Sequence, residues 1–322
     1  MMNMIGRFAA IPAIFLMAAL LALSPAAAKN TAKPASASNA AKPAAAKDTA
    51  FEAFERGEYL TALEEAKKAA EGGQASAHTL IGRIHANGLG VARNYTKAAR
   101  AYEKAAKLGD AEAQVQLGVL AANGRGTPKN PIRAAELFEQ AAKTGHSTAQ
   151  YNLALIYVQG QARKKDLKRA AVLMEKAANQ GHIHAQYDLA GFYATGKGVA
   201  IDPAKAADWT GRAATAGLAA AEVEYAVMLF NGKGVAKDEK RAIEFFKVAA
   251  QKGNAIAQNR LARLYASGQG LKPDKLEAAK WHLLAREAGL SDFQLDIFMS
   301  TLDKAQMLEA QEAAQKWRAG QL

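Results

Sequence analysis

The chain has 322 residues, half of them hydrophobic and 22% charged, so it can bury a sizeable core and is not wholly disordered. Only 7% of the residues are aromatic, and alanine is frequent, a balance that favours closely packed helices over a β-sandwich or barrel. The absence of cysteine excludes disulfides, thiolate metal sites and thiol catalysis. The formal charge of +12 favours acidic partners, anionic membrane surfaces or nucleic acid.

Residues 1–28 have the organisation of a secretory signal peptide. Arg7 provides a weakly basic start, an apolar run covers residues 8–23, and Ala26 and Ala28 form the small-x-small pattern of a cleavage site. The run contains Pro12 and is shorter than the roughly 20 apolar residues that a spanning helix needs. The sequence therefore predicts export to the periplasm with cleavage after Ala28. The alternatives are a membrane anchor facing the periplasm, or secretion.

Residues 29–50 are predicted to be a flexible linker. They consist almost entirely of Ala, Lys, Ser, Pro, Asn and Thr, include Pro34 and Pro43, and have no periodic apolar positions that could cover a core. We expect a basic tether that connects the signal peptide to the folded part of the chain.

A repeat of 36 residues organises residues 51–289, as a partial leading unit followed by six full repeats. Two sets of glycines and two sets of alanines recur with this period, which chance placement cannot produce. The first glycine set is Gly73, Gly109, Gly145, Gly181, Gly217, Gly253 and Gly289, and the second is Gly88, Gly124, Gly160, Gly196, Gly232 and Gly268.

Each repeat predicts two antiparallel helices. The first contains a large apolar residue followed by a small one, as in Leu117-Gly118, and ends at the second glycine set, where a residue without Cβ adopts a left-handed cap easily. The second begins after a capping side chain, at Asn94, Asn130, Asp166, Asp202, Asp238 or Asp274. Its core face carries Tyr102, Phe138, Met174, Trp209, Phe246 and Trp281.

One such helix pair cannot bury its own apolar surface, so stability must come from stacking on its neighbours. The predicted fold is therefore all-α, a right-handed α-solenoid with a concave and a convex side. Residues 290–322 are predicted to cap it with a short helix from near Asp292 and a longer one. The longer helix is expected to contain Leu302, Met307, Ala310, Ala314 and Trp317.

The repeat resembles the Sel1-like repeat, a longer relative of the tetratricopeptide repeat. The resemblance is carried by GHIHAQYDLAGFYATGKGVAIDPAKAADW over residues 181–209, followed by Ala213-Ala214 and Gly217, and it spans all six full units. Three positions depart from the pattern, namely Ala162, Glu222 and Arg286.

Proteins with this repeat generally act as adaptors in signalling, envelope biogenesis, host interaction or protein quality control, and some exported bacterial members restrain membrane sensor kinases. The resemblance thus implies a periplasmic or secreted adaptor that binds a protein partner and regulates or assembles an envelope or signalling complex. One alternative is a structural envelope protein that binds peptidoglycan or another anionic surface. A cell-wall or β-lactam hydrolase, suggested for some cysteine-rich relatives, is the least favoured.

No catalytic constellation accompanies the repeats, so we predict neither an enzyme nor a cofactor. His146, His182 and His184 could share one edge, but they lack a fourth ligand and are predicted to be turn residues rather than a metal site. The other three histidines replace repeat-core residues and are expected to be packed or hydrogen-bonded, at His78, His85 and His282. Nucleic acid is not a predicted partner, because the basic residues are not interleaved with aromatics on one face.

The first helices are expected to line the concave groove, as they do in tetratricopeptide relatives. The residues around each large-small pair then face inward and form an apolar floor for a helix or extended segment of a protein partner, with arginine at both limits. The alternative is that some of these side chains are consumed by packing between neighbouring first helices. The predicted groove residues are Arg83, Val115, Val119, Tyr151, Leu155, Val158, Tyr187, Val223, Val227, Phe230, Asn259 and Arg263.

Basic residues recur in the loops between the two helices of each repeat. Stacking should align them along one edge, the basic edge, which is predicted to meet an anionic envelope surface. The alternative is that these side chains simply remain solvated. The basic edge consists of Arg93, Arg125, Lys129, Arg163, Lys164, Lys165, Lys197, Lys233, Lys237 and Lys272.

Export gives a direct prediction. N-terminal sequencing of protein purified from a native-like host should give a chain that begins at or near Lys29 and has lost one positive charge, that of Arg7. An intact Met1 in the membrane fraction would mean that the segment is an anchor.

Overall fold

The computed structural model describes residues 49–320, and within them it contains sixteen helices and no strand. The predicted signal peptide and nearly all of the predicted linker lie outside these residues. The helices are α1 (Thr49–Glu55), α2 (Tyr59–Glu71), α3 (Ala75–Asn87), α4 (Tyr95–Lys107), α5 (Ala111–Asn123), α6 (Pro131–Lys143), α7 (Ser147–Gln159), α8 (Leu167–Asn179), α9 (Ile183–Thr195), α10 (Pro203–Thr215), α11 (Ala219–Asn231), α12 (Glu239–Gln251), α13 (Ala255–Ser267), α14 (Lys275–Glu287), α15 (Phe293–Ser300) and α16 (Lys304–Ala319).

The helices form two compact units. The first unit extends to Gly109 and includes Val119–Lys129, and the second comprises Asp110–Gly118 and the chain from Asn130 onward. In the first unit α1 packs on α2, α2 on α3 and α3 on α4, and in the second each helix from α6 to α14 packs on the next. In the cap, α16 packs on α14. Helices that pack mainly on their chain neighbours are the signature of a helical repeat array, so the predicted all-α solenoid is confirmed. No helix in the described part of the chain has the length and apolar character needed to cross a bilayer.

The predicted caps form at the helix ends. Asp166 Oδ1 accepts a hydrogen bond from the backbone amide of Arg169 at 2.9 Å. The same bond starts the second helix of the other five repeats, at Asn94, Asn130, Asp202, Asp238 and Asp274. The first helices end at glycines in the left-handed region, as at Gly196 with φ 72°. Polar residues and glycines therefore set the helix boundaries that the sequence predicts.

The loop after each first helix lies against the backbone of the preceding second helix. At Gly198, φ is 73° and an added Cβ would lie 2.1 Å from the carbonyl oxygen of Leu167, so only glycine fits. The third repeat has Ala162 at this place. Its loop is held by Arg163, which donates to both carboxylate oxygens of Glu139 at 2.9 and 3.2 Å. A bidentate ion pair thus anchors this loop.

Small residues let the two helices of a repeat approach closely. A Cβ added at Gly82 would lie 2.5 Å from the ring of Tyr102, and one at Gly118 would lie 2.7 Å from the ring of Phe138. All six predicted bulky residues of the second helices are buried. Thr210 and His282 occupy the repeat position of Tyr102 and are also buried. Trp209 and Trp281 lie one residue before them.

The two ends of the described chain agree with the prediction except in detail. Helix α1 begins at Thr49, inside the predicted linker, because Ala50 is 2% exposed and packs in a cluster with Leu63 and Ile84. At the other end Asp292 caps α15, as expected. Leu302 lies in the turn before α16, and not within the long helix as predicted.

A buried glutamine joins consecutive repeats. The side-chain amides of Gln186 and Gln258 donate to the carbonyl oxygens of Ala178 and Ala250, each at 3.2 Å, near the end of the preceding second helix. In the fifth repeat this position is Glu222, which is 3% exposed and accepts from the Lys252 ammonium. Its second carboxylate oxygen is buried without a hydrogen-bond partner in the described chain.

We expect Glu222→Gln to stabilise the fold by about 1 kcal/mol, because no buried charge remains and the amide can donate to a backbone carbonyl, as Gln186 and Gln258 do, whereas a carboxylate cannot donate. Lys252 is 45% exposed and stays hydrated without its partner. Urea unfolding measures the change.

The matched control is Gln258→Glu. It places a carboxylate at an equally buried position where the counterpart of Lys252 is Ala288, so it should destabilise the fold by about 3 to 5 kcal/mol. A loss of stability in Glu222→Gln would show that the Lys252 ion pair outweighs the desolvation of Glu222.

Candidate partner-binding face

Pairs of tyrosine and carboxylate connect consecutive first helices in the second unit. The Tyr151 hydroxyl on α7 donates to Asp188 Oδ2 on α9 at 2.9 Å, and the Tyr187 hydroxyl on α9 is hydrogen-bonded to Glu224 on α11. Both pairs span one repeat plus one residue. The carboxylates and hydroxyls therefore lie at equivalent places on adjacent repeats, on the helix face that the sequence assigned to the groove.

Burial dominates the electrostatics of these pairs. Desolvation raises the pKa of the Asp188 carboxyl above its usual value, although the hydrogen bond from Tyr151 and the positive field of His184 oppose it. The pKa of each tyrosine hydroxyl is also raised, mainly by desolvation and then by the charge of the adjacent carboxylate. The folded protein thus holds Asp188 where its ionised form is poorly solvated.

Next to this pair, His182 has a structural role. Its ring stacks on Tyr151 with centroids 4.5 Å apart, and its Nδ1 accepts from the amide of Ala185 at 3.1 Å, which caps α9. Burial, then the neighbouring His184 and His146, lower the pKa of His182 to about 4, so the ring is neutral at physiological pH. It is a turn residue, as the sequence predicts.

The three histidines of this edge differ in their contacts. His146 Nε2 lies 3.1 Å from a carboxylate oxygen of Glu112, and His184 is exposed beside His182. Within residues 49–320, no three histidine, aspartate or glutamate side chains are arranged to hold a metal ion.

The predicted apolar floor is partly wrong. Val115, Tyr151, Leu155 and Val223 are buried, at 1%, 9%, 4% and 9% exposure, so they belong to the core and cannot form a contact surface. Such burial is the packing alternative that the sequence left open, and Tyr151 contacts Asp188 on the next first helix, α9. Six of the other predicted residues are half-buried, namely Val119, Val158, Tyr187, Val227, Phe230 and Asn259.

The two predicted limiting arginines already have partners in their own units. Arg83 lies over the ring of Phe54, 4.8 Å from its centroid. Arg263 and Asn259 both donate to the buried Asp292. Burial alone would raise the pKa of Asp292, but these hydrogen bonds bring it below its usual value. Arg263 therefore joins the last repeat to the cap.

Gly191 leaves an opening on α9. It is an exposed helix residue, and an added Cβ would meet no atom within 4 Å. Tyr187 lies one turn before it, and the repeat positions equivalent to Gly191 carry Leu155 and Val227. Glycine costs helix stability, so an exposed one in a helix interior favours a close approach by another backbone.

The basic edge is largely solvent-accessible. Nine of its ten residues are exposed, and Arg163 is half-buried. Arg163 binds Glu139, and Lys237 binds Glu239 at 2.8 Å. Hydrogen bonds from Arg163 lower the pKa of the Glu139 carboxyl, and burial opposes this shift. Arg163 is thus a loop anchor, and a charge reversal there would disturb the fold as well as any surface contact.

Sequence reasoning missed the acceptors of this face. Asp188 and Glu224 directly precede Leu189 and Tyr225, one position away from the residues assigned to the groove, and Asp292 lies in the predicted cap. The spacing of Tyr151 to Asp188 and of Tyr187 to Glu224 is visible in the sequence and could have indicated them. Which oxygen meets which hydroxyl depends on the helix stacking.

Comparisons with known proteins agree on one family. The Sel1 repeat model matches residues 75–110, 111–146, 147–182, 183–218, 219–254 and 255–290. A Sel1 repeat protein from Oxalobacter formigenes is 28% identical with a TM-score of 0.63, and the match covers 77% of this chain and 100% of that one. A protective antigen with an SLR fold from uropathogenic Escherichia coli strains is also 28% identical, with a TM-score of 0.53 and coverage of 84% and 67%. No curated protein matches.

The raised pKa of Asp188 predicts a pH-dependent stability. At low pH the folded and unfolded states both hold the proton, and stability is lost as the pH rises above about 4 through the raised folded value. Asp188→Asn removes this loss and keeps an acceptor for Tyr151. Its melting temperature should exceed that of the wild type at pH 7, and the difference should vanish near pH 3.5.

Tyr151→Phe is the control, because it removes the donor while it preserves the ring. This variant should destabilise the fold at pH 7, where Asp188 loses its hydrogen bond. A lower melting temperature for Asp188→Asn at pH 7 would contradict the argument, since the ionised carboxylate would then be a net stabilising group.

Proposed function

Because the chain belongs to the Sel1 repeat family, whose members are generally protein–protein interaction scaffolds, we propose that it is an exported adaptor that binds a protein partner on the first-helix face of its second unit. The Sel1 repeat fold is typically a non-enzymatic interaction scaffold. Location in the periplasm is part of the proposal and rests on the signal-like residues 1–28. The adaptor would regulate or assemble an envelope or signalling complex.

The desolvated carboxylate of Asp188 is the observation that carries this proposal. Burial makes its ionised form costly, and its hydrogen bond comes from a neutral hydroxyl. A lysine or arginine from a partner would supply the missing positive charge and restore the ionised form. Residues kept for binding often cost stability in this way.

The surroundings of Asp188 suit such a segment. Glu224 is an exposed carboxylate on the next first helix, and Tyr187 provides a half-buried aromatic surface between the two acidic groups. Gly191 leaves room for a backbone to approach α9. The proposed partner is therefore a cationic segment with an apolar flank, rather than the apolar helix or extended segment that the sequence predicted.

The alternative function is binding of peptidoglycan or another anionic surface through the basic edge. The exposure of loop residues such as Lys164, Lys165 and Lys197 supports it. A contact of this kind is screened by salt, since the Debye length falls from about 10 Å at 0.1 M to about 3 Å at 1 M. Binding of this kind would not depend on the carboxylates of the first-helix face.

Site-specific crosslinking distinguishes these functions. A photoreactive phenylalanine analogue placed at Gly191 fits the open space there, and the same analogue at Val172, an exposed residue of α8, is the control. We expect position 191 to capture one protein partner in native envelope, with a yield at least tenfold above position 172. Adding Asp188→Asn with Glu224→Gln should abolish capture, because the two charges that hold the cation are gone.

Two outcomes would overturn the adaptor proposal. One is equal capture at both positions, which means that the face has no specific partner. The other is binding to purified cell wall that persists in the acidic-face variant and is lost in Lys164→Glu with Lys165→Glu, which would establish the alternative. Neither lysine is an ion-pair anchor of the kind that Arg163 is, so this reversal leaves the loop intact.

A further inference from the structure

The first unit contains a basic cavity of about 460 Å³ between α2, α3 and α4. Helix α3 provides two imidazoles seven residues apart, α4 provides three cations that recur every three or four residues, and α2 provides one more. These residues are Lys67, His78, His85, Lys97, Arg100 and Lys104. Glu71 on α2 is the one carboxylate among the described lining residues. The volume is in the range of small-molecule sites.

A cavity at the same repeat position lies in the second unit, but its polar groups are different. In the second unit an equivalent cavity of about 500 Å³ lies between α6, α7 and α8. Its lining has Glu139 where the first cavity has Lys67, and Tyr157 where the first has His85. The second cavity is also lined by four cations and one carboxylate, but there the carboxylate, Glu139, is bound by Arg163, and the lining has no histidine.

Three lining residues of the first cavity differ in charge or chemistry from many of their repeat counterparts. Lys67 replaces a residue that is glutamate in the next three units, and His78 replaces a buried glutamine or glutamate in every later repeat. Arg100 occupies a position that is acidic in three other repeats, at Glu136, Asp208 and Glu244. Each change adds positive charge or a titratable nitrogen to the same space.

The groups in the cavity lack the partners that their counterparts have. In the third and fourth repeats the cation equivalent to Lys97 lies over a tyrosine ring, as Arg169 lies over Tyr157 with 4.7 Å to the centroid. In the first cavity the ring is His85, whose Nδ1 is buried with no hydrogen-bond partner in residues 49–320. Desolvation, then Lys97 and Lys67, lower the pKa of His85, and desolvation, then Lys104, lower that of His78.

We propose that this cavity binds a phosphate-bearing anion, at a site separate from the protein-binding face of the second unit. Four cations and two imidazoles converge on one open space, and lysine, arginine and imidazole are the side chains that bind phosphate oxygens. The phosphate could belong to a soluble molecule or to a lipid headgroup. The chemistry at the cavity is the same for both.

Calorimetry with inorganic pyrophosphate, and flotation with phosphatidylcholine vesicles that do or do not contain phosphatidylglycerol, distinguish the two sources. The test variant is Lys67→Glu with Arg100→Glu, which restores at each position an acid that other repeats carry and therefore should fold normally. The control is Lys168→Glu with Lys275→Glu in the second unit, two exposed residues outside the basic edge, which makes the same change in net charge. Melting temperatures verify folding.

We expect pyrophosphate or the anionic vesicles to bind, with at least tenfold weaker binding in the test variant and unchanged binding in the control. Titration of the ¹⁵N-labelled imidazoles gives a local readout, because a bound anion among Lys67, Lys97, Arg100 and Lys104 raises the pKa of His78 and His85. Soluble binding identifies a free ligand, and vesicle binding alone identifies a headgroup. Absence of binding in both arms, equal loss in test and control, or unmoved imidazoles would overturn the proposal.

Discussion

The close approach of helix backbones is the constraint on which this fold depends. Alanine occupies one position in every first helix and one in every second helix, and these twelve residues are at most 3% exposed. A larger side chain at any of them would force two backbones apart, and the interior has no free volume to absorb it. They are Ala77, Ala113, Ala149, Ala185, Ala221 and Ala257, and Ala98, Ala134, Ala170, Ala206, Ala242 and Ala278.

This constraint leaves the outward positions of each repeat free to change. The helix cap, the glycine turn and the buried alanines define the structure of each repeat. A change to a charged residue on the exposed surface of a helix therefore costs little stability. The protein differs most from its own repeat at such positions. Lys67 and Arg100 each carry charge opposite to that of three of their counterparts, and Gly191 removes a side chain altogether. Residues that differ between equivalent positions of the repeats thus indicate candidate binding sites, because at these positions the repeat requires only a helix.

The two candidate sites differ in what they offer a ligand. The face around Asp188 combines this half-buried carboxylate with the half-buried Tyr187 and the exposed Glu224, which suits a cationic peptide segment. The cavity beside His85 is concave and positive, which suits a compact anion. A protein with a formal charge of +12 can therefore present an acidic face locally, because single side chains at repeat positions decide the local field.

The sequence by itself determined the helix ends, the period and the fold family. Capping by Asp166 or a left-handed turn at Gly196 depends on residues close in the chain, and such local interactions can be read directly from spacing. Burial within the first helices was decided only by the tertiary structure. Tyr151 and Leu155 have the apolar character of a groove, yet neighbouring helices cover them. The pairing of Tyr151 with Asp188 and of Arg263 with Asp292 likewise depends on how one repeat stacks on the next, because residues more than 28 positions apart meet only after that stacking.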